Sequence, residues 1–151
     1  MTSSKYGNKD DPGNATVRIS RIQDGEKTQC EYSGSMKVIS GGLHVIFSDN
    51  GTDNPDVIHL LKVFPDHLEW IRSLNGSKKS MVFRVGEKLP FLFETPDGSL
   101  SLTIITHSYS YSKKNTHEIC VSYSLAQNGK VVSDYKTNIV IKEIERNHYL
   151  R

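Results

Sequence analysis

Three polar side chains fall where strand alternation places apolar ones: Arg72, Thr106 and Tyr123. Arg72 stands two residues from Trp70 and from Leu74, and Leu68 continues the same parity. In an extended strand, residues two apart share a face, so Arg72 points where the apolar side chains point. A guanidinium withdrawn from water needs an anion or several acceptors. No inward carboxylate answers it, because Glu69 lies on the opposite face and Glu94 shares parity with Leu92 on the weaker face of its strand. Either an acidic ligand group meets Arg72, or Arg72 sits at the mouth of a barrel with its head in water and its stem over apolar neighbours. Thr106 and Tyr123 share parity with Leu102, Ile104, Ile119 and Val121. Backbone groups ordinarily satisfy such hydroxyls. The chemistry these residues point to is recognition of a small molecule, with Arg72, Thr106 and Tyr123 as candidate ligand-binding residues.

Other combinations carry less. No G-x-S-x-G, P-loop, G-x-G-x-x-G or H-E-x-x-H occurs, so no catalytic residue is assigned and no enzyme is expected. Ser110-x-x-Lys113 has Ser–Lys spacing but lies in a polar segment, not at a helix start. The six histidines, at 44, 59, 67, 107, 117 and 148, are scattered. His107 and His117 flank one loop and can approach across a hairpin, but two ligands without others do not make a zinc site. Asp49, Asp53 and Asp56 lack EF-hand spacing and read as solvated turn carboxylates. No metal and no cofactor is expected. Tyr109, Tyr111, Lys113 and Lys114 set aromatics beside charge, and Lys78-Lys79 forms a second basic tip. Stacking plus a basic groove is how single strands are bound. Lysines at hairpin tips also block edge pairing, and that reading is favoured. With 19 basic and 17 acidic side chains, the net charge of +2 does not announce a nucleic-acid binder.

The elements that must hold these residues are strands. Leu100, Leu102 and Ile104 alternate with Ser101 and Thr103; Ile119, Val121, Tyr123 and Leu125 alternate with Cys120, Ser122 and Ser124. Val17 and Ile19, then Leu43, Val45 and Phe47, then Met81 and Phe83 repeat the pattern. Val57 to Phe64 is nearly all apolar and predicts a strand covered on both sides. Asp24-Gly25, Asn75-Gly76 and Asn128-Gly129 are hairpin signals, and Pro96-Asp97-Gly98 is a fourth turn. Ser33-Gly34-Ser35, inside a long strand, predicts a bulge or bend of the kind that curls a sheet. His107 to Asn115 reads as a polar loop or hairpin tip. Ten short-linked strands without a helical period predict a single all-β antiparallel barrel of about 8–10 strands, an up-and-down meander over residues 15–144. Residues 1–14 read as a flexible tail, and 145–151 as a polar C-terminal tail.

A chain of 151 residues can bury a full core without staples. Its two cysteines are too few for a secreted framework. Cys30 shares parity with Tyr32 and Met36 and is expected in the core; Cys120 is expected outside. Three N-x-S/T patterns begin at Asn14, Asn50 and Asn75 and, with no secretion signal, read as turn chemistry. No apolar run could span a membrane, and the cytoplasm is the simplest compartment.

The sequence from Trp70 onward resembles the YwiB-like family of small bacterial β-barrel proteins, a family of unknown function. The pattern is Ile71-Arg72, Met81-x-Phe83, Thr95-Pro96-x-Gly98, Leu100-x-Leu102-x-Ile104-x-Thr106, Ile119-x-Val121-x-Tyr123-x-Leu125 and Asn128-Gly129. The resemblance implies a calycin-like barrel, the class that includes lipocalins, and implies no activity.

The expected function is non-enzymatic binding of a small, partly apolar or acidic ligand in the barrel interior. The alternative is an RNA- or protein-interaction module using the Tyr109–Lys114 loop and the Lys78-Lys79 tip. Neither reading fixes an oligomeric state.

Overall fold

Alternating burial builds this protein strand by strand. The computed structural model describes residues 13–49 and 57–144. These form β1 Ala15–Gln23, β2 Glu26–Ile39, β3 Gly42–Asp49, β4 Val57–Val63, β5 Leu68–Leu74, β6 Ser77–Phe83, β7 Lys88–Thr95, β8 Gly98–Lys113, β9 His117–Gln127 and β10 Lys130–Glu143. No helix occurs among the described residues, and none is long and apolar enough to cross a membrane.

The ten strands make one antiparallel sheet in the order β6-β5-β4-β3-β2-β1-β10-β9-β8-β7. The first and last strands pair along their length, from Ala15↔Glu143 to Gln23↔Tyr135. The sheet edges β6 and β7 come together, with β6 packed against β8 and β7. The result is an all-β, nearly closed up-and-down barrel whose seam lies between β6 and β7. Its interior is one core, including Val17, Val45, Leu61, Leu68, Ile104, Val121 and Ile141. The hairpin signals hold their expected geometry. Asp24, Asn75 and Asn128 have φ of 48°, 53° and 53°, and each is followed by a glycine of positive φ, the type I′ requirement.

Five expectations are corrected. First, β4 is covered on one face only: His59, Leu61 and Val63 are buried, whereas Ile58 is exposed. The second concerns Gly34, which, of the bulge or bend expected, lacks only the bulge. It is the residue at which β2 stops pairing with β1 and starts pairing with β3, Ala15↔Gly34 giving way to Gly34↔Phe47. A Cβ there would lie 2.6 Å from the Ile46 carbonyl oxygen, so glycine is required by close approach.

Third, of the loop or hairpin tip expected over 107–115, the loop is not formed: β8 runs on to Lys113, and the tip is confined to 114–116. A bulge at His107, between Thr106 and Ser108, shifts the β8–β9 register by one. Leu102, Ile104 and Thr106 face inward before it; Tyr109 and Tyr111 pack on the core after it. Fourth, Gly13 and Asn14 are not a free tail. Gly13 is buried, and Asn14 hydrogen-bonds Gly34 and Ile144 through its backbone. Residues 1–12 and 145–151 lie outside the described residues. The fifth correction is Cys30, which keeps its inward parity opposite Ile19 but is exposed, because the barrel is open at its level. Cys120 is exposed as expected.

Candidate functional site

The turns Asp24-Gly25, Asn75-Gly76, Pro96-Asp97 and Asn128-Gly129 lie at one end of the barrel, since antiparallel neighbours reverse at alternate ends. There the two halves of β2 are divided between neighbours. Residues Glu26–Gly34 pair with β1, and only Gly34–Ile39 pair with β3. The walls therefore part beside the first half of β2, and a cavity of about 180 Å³ occupies the opening. Arg21 comes from β1; Thr28, Cys30 and Tyr32 from β2; Phe47 and Asp49 from β3; His59 from β4; Trp70 and Arg72 from β5; Met81 from β6. Each sits at the inward parity of its strand, which is why ordinary pleating collects them.

Aromatic rings form the wall. Tyr32 packs against Phe47 with centroids 4.8 Å apart, and Phe47 stacks on the His59 ring at 4.7 Å and 7°. Trp70 meets His59 edge-on at 6.0 Å. The Trp70 indole Nε1–H donates to His59 Nδ1 at 3.0 Å. Burial, reinforced by the Arg72 and then the Arg21 guanidinium against an opposing pull from Asp49, lowers the His59 pKa to about 4. The ring is therefore neutral near pH 7. Because an indole only donates, Nδ1 is the acceptor and the proton lies on Nε2. Burial first, then a hydrogen bond with Cys30 and the Asp49 charge, push Tyr32 up to about 12.

The charges are two guanidiniums and one carboxylate. Arg72 is the ladder partner of His59, so the two side chains stand together on the inner face. Arg21 faces from β1, four strands away round the wall. Its guanidinium carbon lies 5.9 Å from the centroid of the Tyr135 ring, and its buried Nε makes no hydrogen bond. Tyr135 stacks on Tyr123 at 4.8 Å, and Tyr123 packs on Phe83 at 4.6 Å. Among the described residues, neither guanidinium has a carboxylate within ion-pair distance. With His59 neutral, Arg21, Arg72 and Asp49 leave the cavity wall one positive charge in excess.

Of the residues expected to bind ligand, Arg72 lines the cavity and is exposed. Thr106 and Tyr123 are ladder partners, 4% and 5% exposed, and belong to the core rather than the lining. The Thr106 hydroxyl has no hydrogen-bond partner, contrary to the backbone satisfaction expected of it. Alternation alone missed Arg21, Asp49 and His59, and it placed Trp70 inward without assigning it to the site. Arg21 was within reach of it, sharing parity with Val17 and Ile19.

Other candidate groupings come apart. His117 is buried and joined through Nδ1 to the Tyr111 hydroxyl at 2.8 Å; His107 is exposed and joined to Ser124 at 2.7 Å. No three histidine, cysteine, aspartate or glutamate residues among those described form a metal cluster. Asp53, Asp56 and His148 lie outside the described residues. Tyr109 gives its hydroxyl to the Phe64 carbonyl at 2.7 Å, so the aromatics of the proposed stacking loop are packed inward. Lys78, Lys113 and Lys114 remain exposed.

Residues 14–139 match the family described as domain of unknown function DUF1934. The chain belongs to that family. Comparison with curated proteins gave no match. Among solved structures, the barrel is similar to the crystal structure of the ywiB protein from Bacillus subtilis, at 17% identity and a TM-score of 0.71. That similarity covers 88% of this chain and 93% of the other. At this identity the DUF1934 barrel shares a fold with the solved protein and nothing finer is carried over, so the functional reading depends on the cavity of this chain.

Proposed function

We propose that this DUF1934 protein binds a small, partly apolar organic anion in the barrel mouth, without catalysing a reaction. The observation that carries this reading is the pair Arg21 and Arg72. Both guanidiniums line an aromatic-walled cavity, and neither has a carboxylate partner among the described residues. Arg21 is half-buried with its Nε lacking an acceptor, so an anion there supplies what water does not reach, and Arg72, exposed at the mouth, is open to the same anion. The excess of one positive charge fits a monoanion. The Tyr32, Phe47, Trp70 and Met81 walls fit an apolar body, and about 180 Å³ exceeds the roughly 150 Å³ that holds one benzene ring in a protein cavity.

The test is binding of benzoate and benzenesulfonate against neutral benzamide, followed by amide chemical shifts in the full chain. Saturable shifts at Arg72, His59 and Trp70 are expected for the anions only. Arg72→Met and Arg21→Met, which keep most of each apolar stem, should each weaken anion binding about tenfold or more. Equal affinity for the neutral probe, or undiminished binding by both variants, would overturn the reading. A steep loss of affinity for oligoribonucleotides with added salt, in place of small-anion binding, would support the interaction-module alternative instead.

A further inference from the structure

We infer that His59 is a ligand-contacting residue, a neutral imidazole that presents Nε2–H to the bound anion, and that Trp70 is the positioning residue that fixes this tautomer. The inference rests on the anion-binding reading above and specifies which oxygen-bearing group the site recognises.

The geometry begins with the indole. Trp70 Nε1–H donates to His59 Nδ1 at 3.0 Å inside a buried pair, His59 being 7% and Trp70 5% exposed. Phe47 stacks flat on the imidazole and Trp70 closes its edge, so the ring has no freedom to turn. His59 lines the cavity, and with Nδ1 engaged, its Nε2–H is the polar group it can offer. Arg72 stands directly across the β4–β5 ladder on the same face. A carboxylate or sulfonate meeting the Arg72 guanidinium is therefore placed beside a neutral N–H donor. Such a pairing favours an anion whose oxygens can accept from two directions, and disfavours a ligand with a donor at that point.

Trp70 also opposes protonation, beside burial and the guanidiniums. The groups facing His59 are Tyr32 from β2, Phe47 and Asp49 from β3, Trp70 and Arg72 from β5, and Arg21 from β1. Both guanidiniums oppose a second proton and only Asp49 favours it. A bound anion would favour it too. But imidazolium carries N–H on both nitrogens, and its Nδ1–H would then point at the indole N–H. Donor against donor in a buried place is costly, so the indole holds the ring neutral even with the anion present.

The probe is benzenesulfonate, whose charge does not change between pH 5 and 8. Wild-type affinity is expected to vary less than about twofold over that range. His59→Leu should lose about tenfold, and His59→Gln should stay within about threefold of wild type, because its amide accepts from Trp70 and donates to the anion. Trp70→Phe frees Nδ1 to take a proton when the anion is bound, while burial and the two guanidiniums still disfavour it in the free site, so affinity should rise as pH falls toward about 5 instead of staying flat. In the wild type, imidazole nitrogen shifts should report the Nε2–H form at pH 7, a measurement that stands even if His59→Leu does not fold. Undiminished binding by His59→Leu, a pH-independent Trp70→Phe, or the Nδ1–H form in the wild type would each overturn this inference. If Arg72→Met and Arg21→Met still lose the anion, the anion-binding reading survives that result. If benzenesulfonate does not bind the wild type, both fail together.

Discussion

Asn14 closes the barrel against Met36. Its side-chain Oδ1 accepts from the Met36 backbone N–H at 2.7 Å, and its Nδ2 donates to the Met36 carbonyl at 3.2 Å. Met36 lies in the part of β2 that has left β1, so the amide of Asn14 takes the place of a missing ladder rung. The Ile144 N–H, donating to the Asn14 carbonyl at 2.7 Å, adds the end of β10 to the same clasp.

Replacing Asn14 with Ala would leave both backbone groups of Met36 part-buried and unmet. We expect a loss of about 1–3 kcal/mol in urea unfolding. An Asn14→Ala midpoint equal to the parent's would show that solvent meets Met36 equally well.

The clasp marks where the sequence was legible and where it was not. Period-two alternation exposed nearly every strand, and Asp-Gly and Asn-Gly pairs exposed the turns, because those patterns are local consequences of pleating and of positive φ. Asn14 reads as a tail residue beside Gly, Asp and Pro, since its role depends on a partner 22 positions away. The cavity was half legible for the same reason. The parity of Arg72 is local, but the arrival of Asp49, His59 and Arg21 around it depends on how far β2 slides past β3. Tyr109 and Tyr111 were misassigned because one bulged residue reverses inward and outward, and no residue type announces it.

Gly34 is the corner on which that slide depends. Ala at this position would place its Cβ 2.6 Å from the Ile46 carbonyl oxygen and 3.1 Å from Phe47 Cβ. Both are held in the β3 ladder and neither is the end of a flexible side chain. Gly34→Ala should therefore cost about 1–3 kcal/mol, and should shift amide resonances of β3 near Phe47. Gly25→Ala is the control for a glycine with open space round it. Its strain comes only from φ of 89°, and its effects should stay in the Asp24-Gly25 turn. Equal and local effects for both would remove Gly34 as a corner.

Acid should destabilise the fold through His59. Its folded pKa is about 4 against an ordinary value near 6.5. Between these values the unfolded chain binds a proton that the folded chain refuses, so stability is full above about pH 6.5 and falls as pH drops toward 4. The linked loss is of the order of 3 kcal/mol. His117, lowered by burial and by Lys113, acts in the same direction. His59→Gln should flatten the stability profile between pH 4 and 6.5 relative to the parent, as measured by urea midpoints. A parallel profile in the variant would mean that His59 is not held neutral.

Alkali should act through the tyrosines. Burial raises Tyr123 and Tyr32 to about 12 each, and lifts Tyr109 and Tyr111 above the ordinary phenol value. The unfolded chain loses these protons first, so stability falls as pH rises past about 10. An ultraviolet titration should show these phenolates forming only with unfolding. Early, reversible ionisation of all the tyrosines at pH 10 would contradict their inward packing.

His107 separates a side-chain effect from a register effect. The bulge between Thr106 and Ser108 lets even positions face inward before it and odd positions after it. The same residue bonds across the outer surface. Ser124 is 1% exposed and its hydroxyl donates to Asp134, so His107 Nε2–H must be the donor in its 2.7 Å contact with Ser124. His107→Ala removes that donor and should cost about 1 kcal/mol, leaving the bulge in place. Deleting His107 is a different event. Removing the extra residue restores strict alternation: Thr106 stays inward, Ser108 faces out, and Tyr109 and Tyr111 stay inward, with Thr106↔Tyr123 and Ser108↔Ser122 as consecutive rungs. The Tyr109 bond to Phe64, which joins β8 to the β4–β5 turn, can then be kept. We expect His107→Ala to leave the amide spectrum native throughout, and the deletion to fold with its changes confined to the β8–β9 rungs beside Thr106 and Ser108. A deletion variant that fails to fold would show that the fold requires the bulge itself, and not only the inward placement of Tyr109 and Tyr111.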